Sequence, residues 1–168
     1  MKLGDGVEQG IHCMLVLSNL QPGGVLAAAA LAEYHGVSVS YLTKHLQALS
    51  GAGLLESVPG PKGGYRLAKE PEAITLLDIV LALEGPEPAF RCAEIRQRGP
   101  DPLPQKFHRA PCGVNAAMLR AERAYRAELG RTLLSDLFND PATPLGAAID
   151  KRSCAFLALN ERHRVSTD

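Results

Sequence analysis

Among the residues able to do chemistry, two cysteines draw attention first. Cys92 and Cys112 lie near the ends of "FRCAEIRQRGPDPLPQKFHRAPCG", residues 90–113, a polar stretch broken by prolines and carrying Arg91, Arg96, Arg98, Lys106 and Arg109. Their separation is too wide for a zinc knuckle, and no CxxC lies nearby. Three chemistries are open: a disulfide, two idle thiols, or half of a metal site completed from elsewhere. The N-terminal stretch has acidic Asp5 and Glu8 ahead of a short apolar run, unlike a secretory signal, and no apolar run approaches a membrane span. The expectation is a cytoplasmic protein without a membrane partner. Four cysteines in a reducing compartment act as free thiols or ligands more often than as disulfides, so the disulfide is the weakest reading.

Candidate nitrogen and oxygen donors are Glu8, His12, His35, His45 and His108. His108, four residues before Cys112, would be the choice for a site built within one chain. His12 and Cys13 are expected to pack within the first helix, and Cys154 to be an ordinary thiol of the tail. A Cys112/His108 nucleophile pair would imply an enzyme. Nothing near it supplies a third orienting group or an oxyanion donor, so the chain does not read as an enzyme.

The elements that position these residues follow from hydrophobic spacing. Val7, Ile11, Met14 and Leu15 predict a helix over residues 5–19, ended by Pro22-Gly23-Gly24. A short alanine-rich helix over 25–35 stops at Gly36, a C-terminal glycine cap, and a third runs from Ser38 or Ser40 to Ser50 with Val39, Leu42, Leu46 and Leu49 on one face. Strands over 54–58 and 64–68 flank a Gly/Pro turn, and Thr75 with Asp78 forms a capping box that opens a helix through "TLLDIVLALEG". After Cys112, an apolar stripe at Val114, Met118, Ala121, Tyr125, Leu129, Leu133 and Leu137 predicts one long helix over 114–138 whose stripe packs against a partner helix.

The expected fold is thus mainly α with a small β-wing. Residues 1–84 form a winged helix-turn-helix domain, with the first helix also at a dimer interface. A cysteine-containing sensor loop covers 85–113 and a dimerisation helix 114–138. The tail, 139–168, is expected to be partly disordered, with one weak helical patch over 147–159.

Two short helices, a glycine turn and a hairpin, in that order, suit DNA. Eighteen basic residues balance eighteen acidic ones over 168 residues, so a DNA face must come from local clustering. Ser38, Ser40, Tyr41, Lys44 and His45 at the start of the third helix can reach base edges and phosphates, and the turn "PGPKGGYR" offers Lys62, Gly63, Gly64, Tyr65 and Arg66. Between residues 36 and 69 stand Lys44, Lys62, Arg66 and Lys69 against the single acid Glu56. Taken singly, Lys44 or His45 reads better as a solvated residue of a helical interaction domain, and Gly60, Gly63 or Gly64 as part of an ordinary hairpin turn. Their ordered combination points to double-stranded DNA.

The stretches "GVEQGIHCMLVL" and "YLTKHLQALSGAGLLESVPGPKGGYRLAK", the cysteine loop and the helix after it together resemble the IscR/NsrR-type (Rrf2) family of winged-helix transcriptional regulators, over about residues 1–138. The resemblance implies a homodimer joined through the long helices, operator DNA as partner and, in many members, an iron–sulfur cluster. This chain departs from the usual three-cysteine motif, because no cysteine lies between Cys92 and Cys112. Its loop and "GVEQGIHC" are closest to the redox-sensing RsrR branch. That pattern implies a 2Fe–2S cluster held by Cys92 and Cys112 of one chain with Glu8 and His35 of the other, its redox state switching operator affinity. The alternative is a cluster-free regulator of the same fold that responds to a small molecule or to thiol oxidation. Thr43 stands where glutamate is frequent in the wider family, so the operator preference of other members is not carried over to this chain.

Overall fold

A computed structural model describes residues 3–109 and 112–163. The chain runs α1 (Asp5–Leu17), β1 (Gly24–Val25), α2 (Ala28–His35), α3 (Val39–Gly51), β2 (Leu55–Val58), β3 (Gly64–Leu67), α4 (Leu76–Glu84), α5 (Gly113–Leu129), α6 (Pro144–Asn160) and β4 (Arg162–His163), with four single turns of 3₁₀ helix between them. Apolar residues at helical spacing explain the first three helices. Met14 of α1, Leu31 of α2 and Leu42, Leu46 and Leu49 of α3 are fully buried, and Leu26, Leu55, Ile74 and Ile79 close the same core. Gly36 ends α2 in the left-handed conformation at φ 66°, as its position after the helix predicts. At the start of α4, Thr75 Oγ1 accepts from the Asp78 amide at 3.1 Å while Asp78 accepts from the Thr75 amide at 2.9 Å, completing the expected capping box.

β2 and β3 form the expected antiparallel hairpin, pairing Leu55 with Leu67 and Val58 with Gly64. β1 departs from the sequence pattern, which assigns residue 25 to the opening of α2. Leu26 exchanges backbone hydrogen bonds with Tyr65 at 3.1 and 2.8 Å, which ties the wing to the helical head. Gly64 is needed there, because a Cβ would collide with the Leu26 carbonyl.

In the C-terminal half the helices differ from expectation in extent. The long helix stops at Leu129, capped by Gly130, instead of continuing to 138. The chain turns so that Leu134 enters the core at zero exposure, its amide donating to the Ile74 carbonyl at 2.8 Å, while Leu133 bridges to Thr75. Burying one leucine contributes about 1.5–3 kcal/mol, more than another helical turn on the surface would. In the tail, α6 covers the helical patch expected over 147–159 and extends it at both ends, to 144 and 160. Thr143 accepts from the Gly146 amide at 3.0 Å as its N-cap and Pro144 fills the first turn. Phe156 packs on the Tyr34 ring at 4.7 Å and Leu157 is buried, so tertiary contact sustains a helix whose own apolar periodicity is weak. Among the described residues no helix is long and apolar enough to cross a membrane.

Candidate metal centre and DNA-reading face

The loop after α4 folds back so that Cys92 and Cys112 meet. Their sulfurs and a carboxylate oxygen of Glu94 all lie within 4.8 Å of one another, the one such group among the described residues. Cys112 is the N-cap of α5. The backbone amides of Asn115 and Val114 at the helix start, with Arg96 nearby, lower the thiol's pKa. At Cys92 the Glu94 amide also lowers the pKa, but burial and the Glu94 carboxylate outweigh it and the net shift is upward. The Cys92 thiol donates to Glu94 Oε1 at 3.4 Å, and Arg96 pairs with the same carboxylate at 2.8 Å. Glu94 has φ 46°, the sole positive φ outside glycine among the described residues, and this turn brings its side chain back over Cys92. Sequence reasoning does not find Glu94. The spacing Cys-x-Glu in "CAE" is its only signal.

Glu8 and His35 both line a separate open cleft of about 1010 Å³ between α1, α2, α6 and residues 137–141. Within one chain, the described residues do not bring them to the two sulfurs. Glu8 is exposed; His35 is half-buried, and its Nε2 is enclosed without a hydrogen-bond partner. Burial, then His12 and Arg152, lower the His35 pKa to about 4, so its imidazole is neutral at pH 7 and its lone pair is available. His12, expected to pack within α1, is exposed instead, with its ring 5.9 Å from that of His35. Four residues after Glu8, it stands one turn along the same helix face, an i,i+4 signal that could have found it. Cys13 does pack inside, as expected, and burial pushes its thiol up to about 12. Cys154 is an exposed thiol of α6. The side chain of His108 lies outside the described residues.

The DNA-reading candidates form a second surface. Ser38, Ser40, Tyr41 and Lys44 are exposed at the start of α3, with the two serine hydroxyls 3.1 Å apart. His45 is turned inward. It is half-buried against Gly6 of α1 and meets Tyr41 edge-on at 4.5 Å. Thr43 is spent locally, donating to the Val39 carbonyl at 2.7 Å. In the wing Lys62 is exposed, whereas Arg66 lies across from Glu56 and donates to its carboxylate through Nε at 2.9 Å and Nη2 at 2.8 Å. Gly63 and Gly64 hold the turn, and Tyr65 is half-buried against the body.

A helix-turn-helix followed by a two-stranded wing, with exposed hydroxyls and a lysine on the second helix, defines a winged-helix DNA-binding protein. The comparisons with known proteins sharpen this. The Rrf2 family, described as an iron-dependent transcriptional regulator, matches residues 3–140. YffB of Lactococcus lactis subsp. lactis (strain IL1403), provisionally named an HTH-type transcriptional regulator, is 32% identical over 140 residues, 83% of this chain and 88% of that one. The solved structure of CymR, called the global cysteine regulator of B. subtilis, has a TM-score of 0.63 and 27% identity, covering 83% of this chain and 99% of that chain. IscR of T. potens shares the fold, with a TM-score of 0.59 at 24% identity over 82% of this chain and 85% of that chain. The chain belongs to the Rrf2 family. It is a transcriptional regulator and not an enzyme.

Proposed function

We propose that this protein is a cytoplasmic homodimer that binds operator DNA with an affinity set by the redox state of a 2Fe–2S cluster. The observation that carries the reading is the convergence of the Cys92 and Cys112 sulfurs at the start of α5. Two thiols supply the soft side of the donor set, and Cys112 is prepared to ionise by the helix amides beneath it. The hard side would come from the partner's cleft: Glu8 and one imidazole of the adjacent pair His12 and His35. His35 offers a neutral, unpartnered nitrogen, while His12 is the more accessible of the two. When bound, such a cluster supplies a one-electron couple whose potential histidine ligation raises.

Dimerisation would run through α5. None of its residues is buried, and Val114 and Met118 are 62% and 44% exposed. A second copy covering this stripe would place one chain's Cys112 beside the partner and set two reading heads at half-site spacing. Lys44 and the α3 hydroxyls would meet the major groove, and Lys62 a phosphate.

Iron and acid-labile sulfide analysis of anaerobically purified protein, with visible absorbance, tests the cluster. Alanine variants of Cys92 and Cys112 should lose it, as should Glu8→Ala and whichever of His12→Ala and His35→Ala removes the ligand. Operator affinity in the two redox states should differ about ten-fold, within the usual range of allosteric coupling. Iron-free protein from anaerobic cells would refute the reading. A second reading, thiol oxidation, is favoured by the same proximity, because Cys112 is the more acidic sulfur and lies within 4.8 Å of the Cys92 sulfur. A Cys92–Cys112 disulfide forming reversibly in iron-free protein, with a change in DNA affinity, would establish it.

A further inference from the structure

The segment after residue 140, beyond the family match, is fastened to the DNA-reading head at three points. Ser153 of α6 shares a hydrogen bond with Tyr34 of α2 at 2.9 Å, and Arg152 of α6 lies over the Tyr34 ring at 4.3 Å while donating to the Tyr34 carbonyl at 2.8 Å. Just past α6, a carboxylate oxygen of Glu161 accepts from the Gln21 amide at 2.9 Å. It sits in space that the missing side chain of Gly24 leaves open, because a Cβ there would collide with it. β4 then pairs antiparallel with β1, setting Arg162 opposite Val25 and His163 opposite Gly24. Since β1 continues into the Leu26–Tyr65 bridge, β4 is locked to the wing through backbone hydrogen bonds.

The consequence concerns one side chain. Arg162 donates through Nη1 to the carbonyl of Pro61, in the wing turn itself, at 3.3 Å. Among the described residues it has no carboxylate partner, whereas Arg66 is committed to Glu56 and His163 sits 3.3 Å from Glu161. We propose that Arg162 is a DNA-phosphate contact of the wing, delivered by the C-terminal strand and not by the winged-helix core. One N–H fixes the guanidinium against the turn, and its remaining donors form the fork that suits a phosphate oxygen. Each wing then presents two cations side by side, Lys62 from its own turn and Arg162 from outside it. The inference rests on the DNA-binding reading above and adds a phosphate ligand that the 3–140 match does not cover.

The test is fluorescence anisotropy with a labelled duplex of random sequence, whose binding is mainly electrostatic, titrated at several salt concentrations. The slope of log K against log salt scales as about 0.9 per phosphate neutralised, so Arg162→Ala should lower it by about 1.8 in a dimer with both wings engaged. Arg162→Lys should keep most of the slope, and Lys151→Ala, an exposed cation of α6, should leave it unchanged. Because β4 also packs on β1, thermal melting of each variant is read alongside; a normal melt with a reduced slope is the expected result. An Arg162→Ala slope equal to wild type, with Lys62→Ala reducing it, would overturn the inference and leave DNA binding intact. A wild-type protein that fails to bind any duplex would overturn the functional reading itself.

Discussion

The pairing of Arg66 with Glu56 leads to an unusual prediction: removing an acidic side chain from the wing should strengthen DNA binding. Glu56 lies on β2 directly across from Arg66 on β3, and both N–H···O distances are 2.9 Å or less. A cross-strand ion pair at 35% and 49% side-chain exposure contributes about 0.2–1 kcal/mol, so Glu56→Gln should barely move stability. The substitution releases the guanidinium and deletes the one acid between residues 36 and 69. If Arg66 then engages a phosphate, the log–log salt slope should steepen by about 0.9 per wing, worth about 8-fold in affinity per phosphate at 0.1 M salt. Arg66→Ala should act in the opposite direction, leaving Glu56 uncompensated near the DNA backbone. The double variant should return near wild type, and the cycle then isolates the coupling. Anisotropy titrations with a short duplex at three or more salt concentrations measure all four proteins. Should Glu56→Gln leave both slope and affinity unchanged while Lys62→Ala lowers them, Arg66 faces away from DNA and the pair is only a clip for the hairpin.

Three further outcomes follow from the packing. Leu134→Ala should cost about 2–5 kcal/mol in urea unfolding, with an unchanged m-value and matched protein concentrations, whereas Leu159→Ala, at 86% exposure, should cost less than about 0.5. Val114→Glu with Met118→Glu should shift sedimentation toward monomer and weaken operator binding; a tight dimer would place the interface elsewhere. In iron-free protein, His35 has a folded pKa of about 4 against an unfolded value near 6.5. The unfolded chain takes up that proton first, so thermal stability should hold above pH 6.5 and decline toward pH 4. His35→Gln should flatten the decline across that window.

The head of the molecule is legible because its signals are local. Apolar spacing, Gly36, the Thr75–Asp78 box and the Gly/Pro turn each act within a few residues, and most elements of the head lie within a residue or two of expectation. The C-terminal half is not, for a physical reason. The stripe through Leu129, Leu133 and Leu137 is continuous in sequence, yet nothing in it reveals that Leu134, off the stripe, is the residue the core takes. Similarly α6 has little periodicity of its own and is held by Tyr34, more than a hundred residues away. At the site, Cys92 and Cys112 are legible as a pair and their approach is not, since a proline-broken loop carries no pattern that fixes its closure. The inward turn of His45 and the outward face of His12 depend on neighbours from other elements, Gly6 for the first and the open cleft for the second.

Communication between the two surfaces can be followed through the chain. The start of α5 carries Cys112, and its end passes into the segment that donates the Leu134 amide to Ile74 and accepts from the Leu76 amide through Thr132 at 2.9 Å. A change in how α5 sits is therefore felt at the start of α4, which packs against both α1 and α3. From the other side, His35 is the last residue of α2, and Gly36 is the hinge that aims α3. A cluster held by one chain's thiols and its partner's Glu8 and imidazole would clamp both routes at once, α5 in one subunit and the α2–α3 turn in the other. α6 adds a third restraint, because Arg152 grips the Tyr34 carbonyl beside that histidine. Arg152→Ala should therefore loosen the His35 segment without touching any thiol, and His35 should titrate upward once the nearby cation is gone. NMR titration of the His35 ring in iron-free protein measures this directly. An upward shift together with a smaller difference in operator affinity between redox states would place α6 within the switch. An unchanged His35 titration would show that Arg152 exerts no electrostatic control there, and that the tail serves the wing alone.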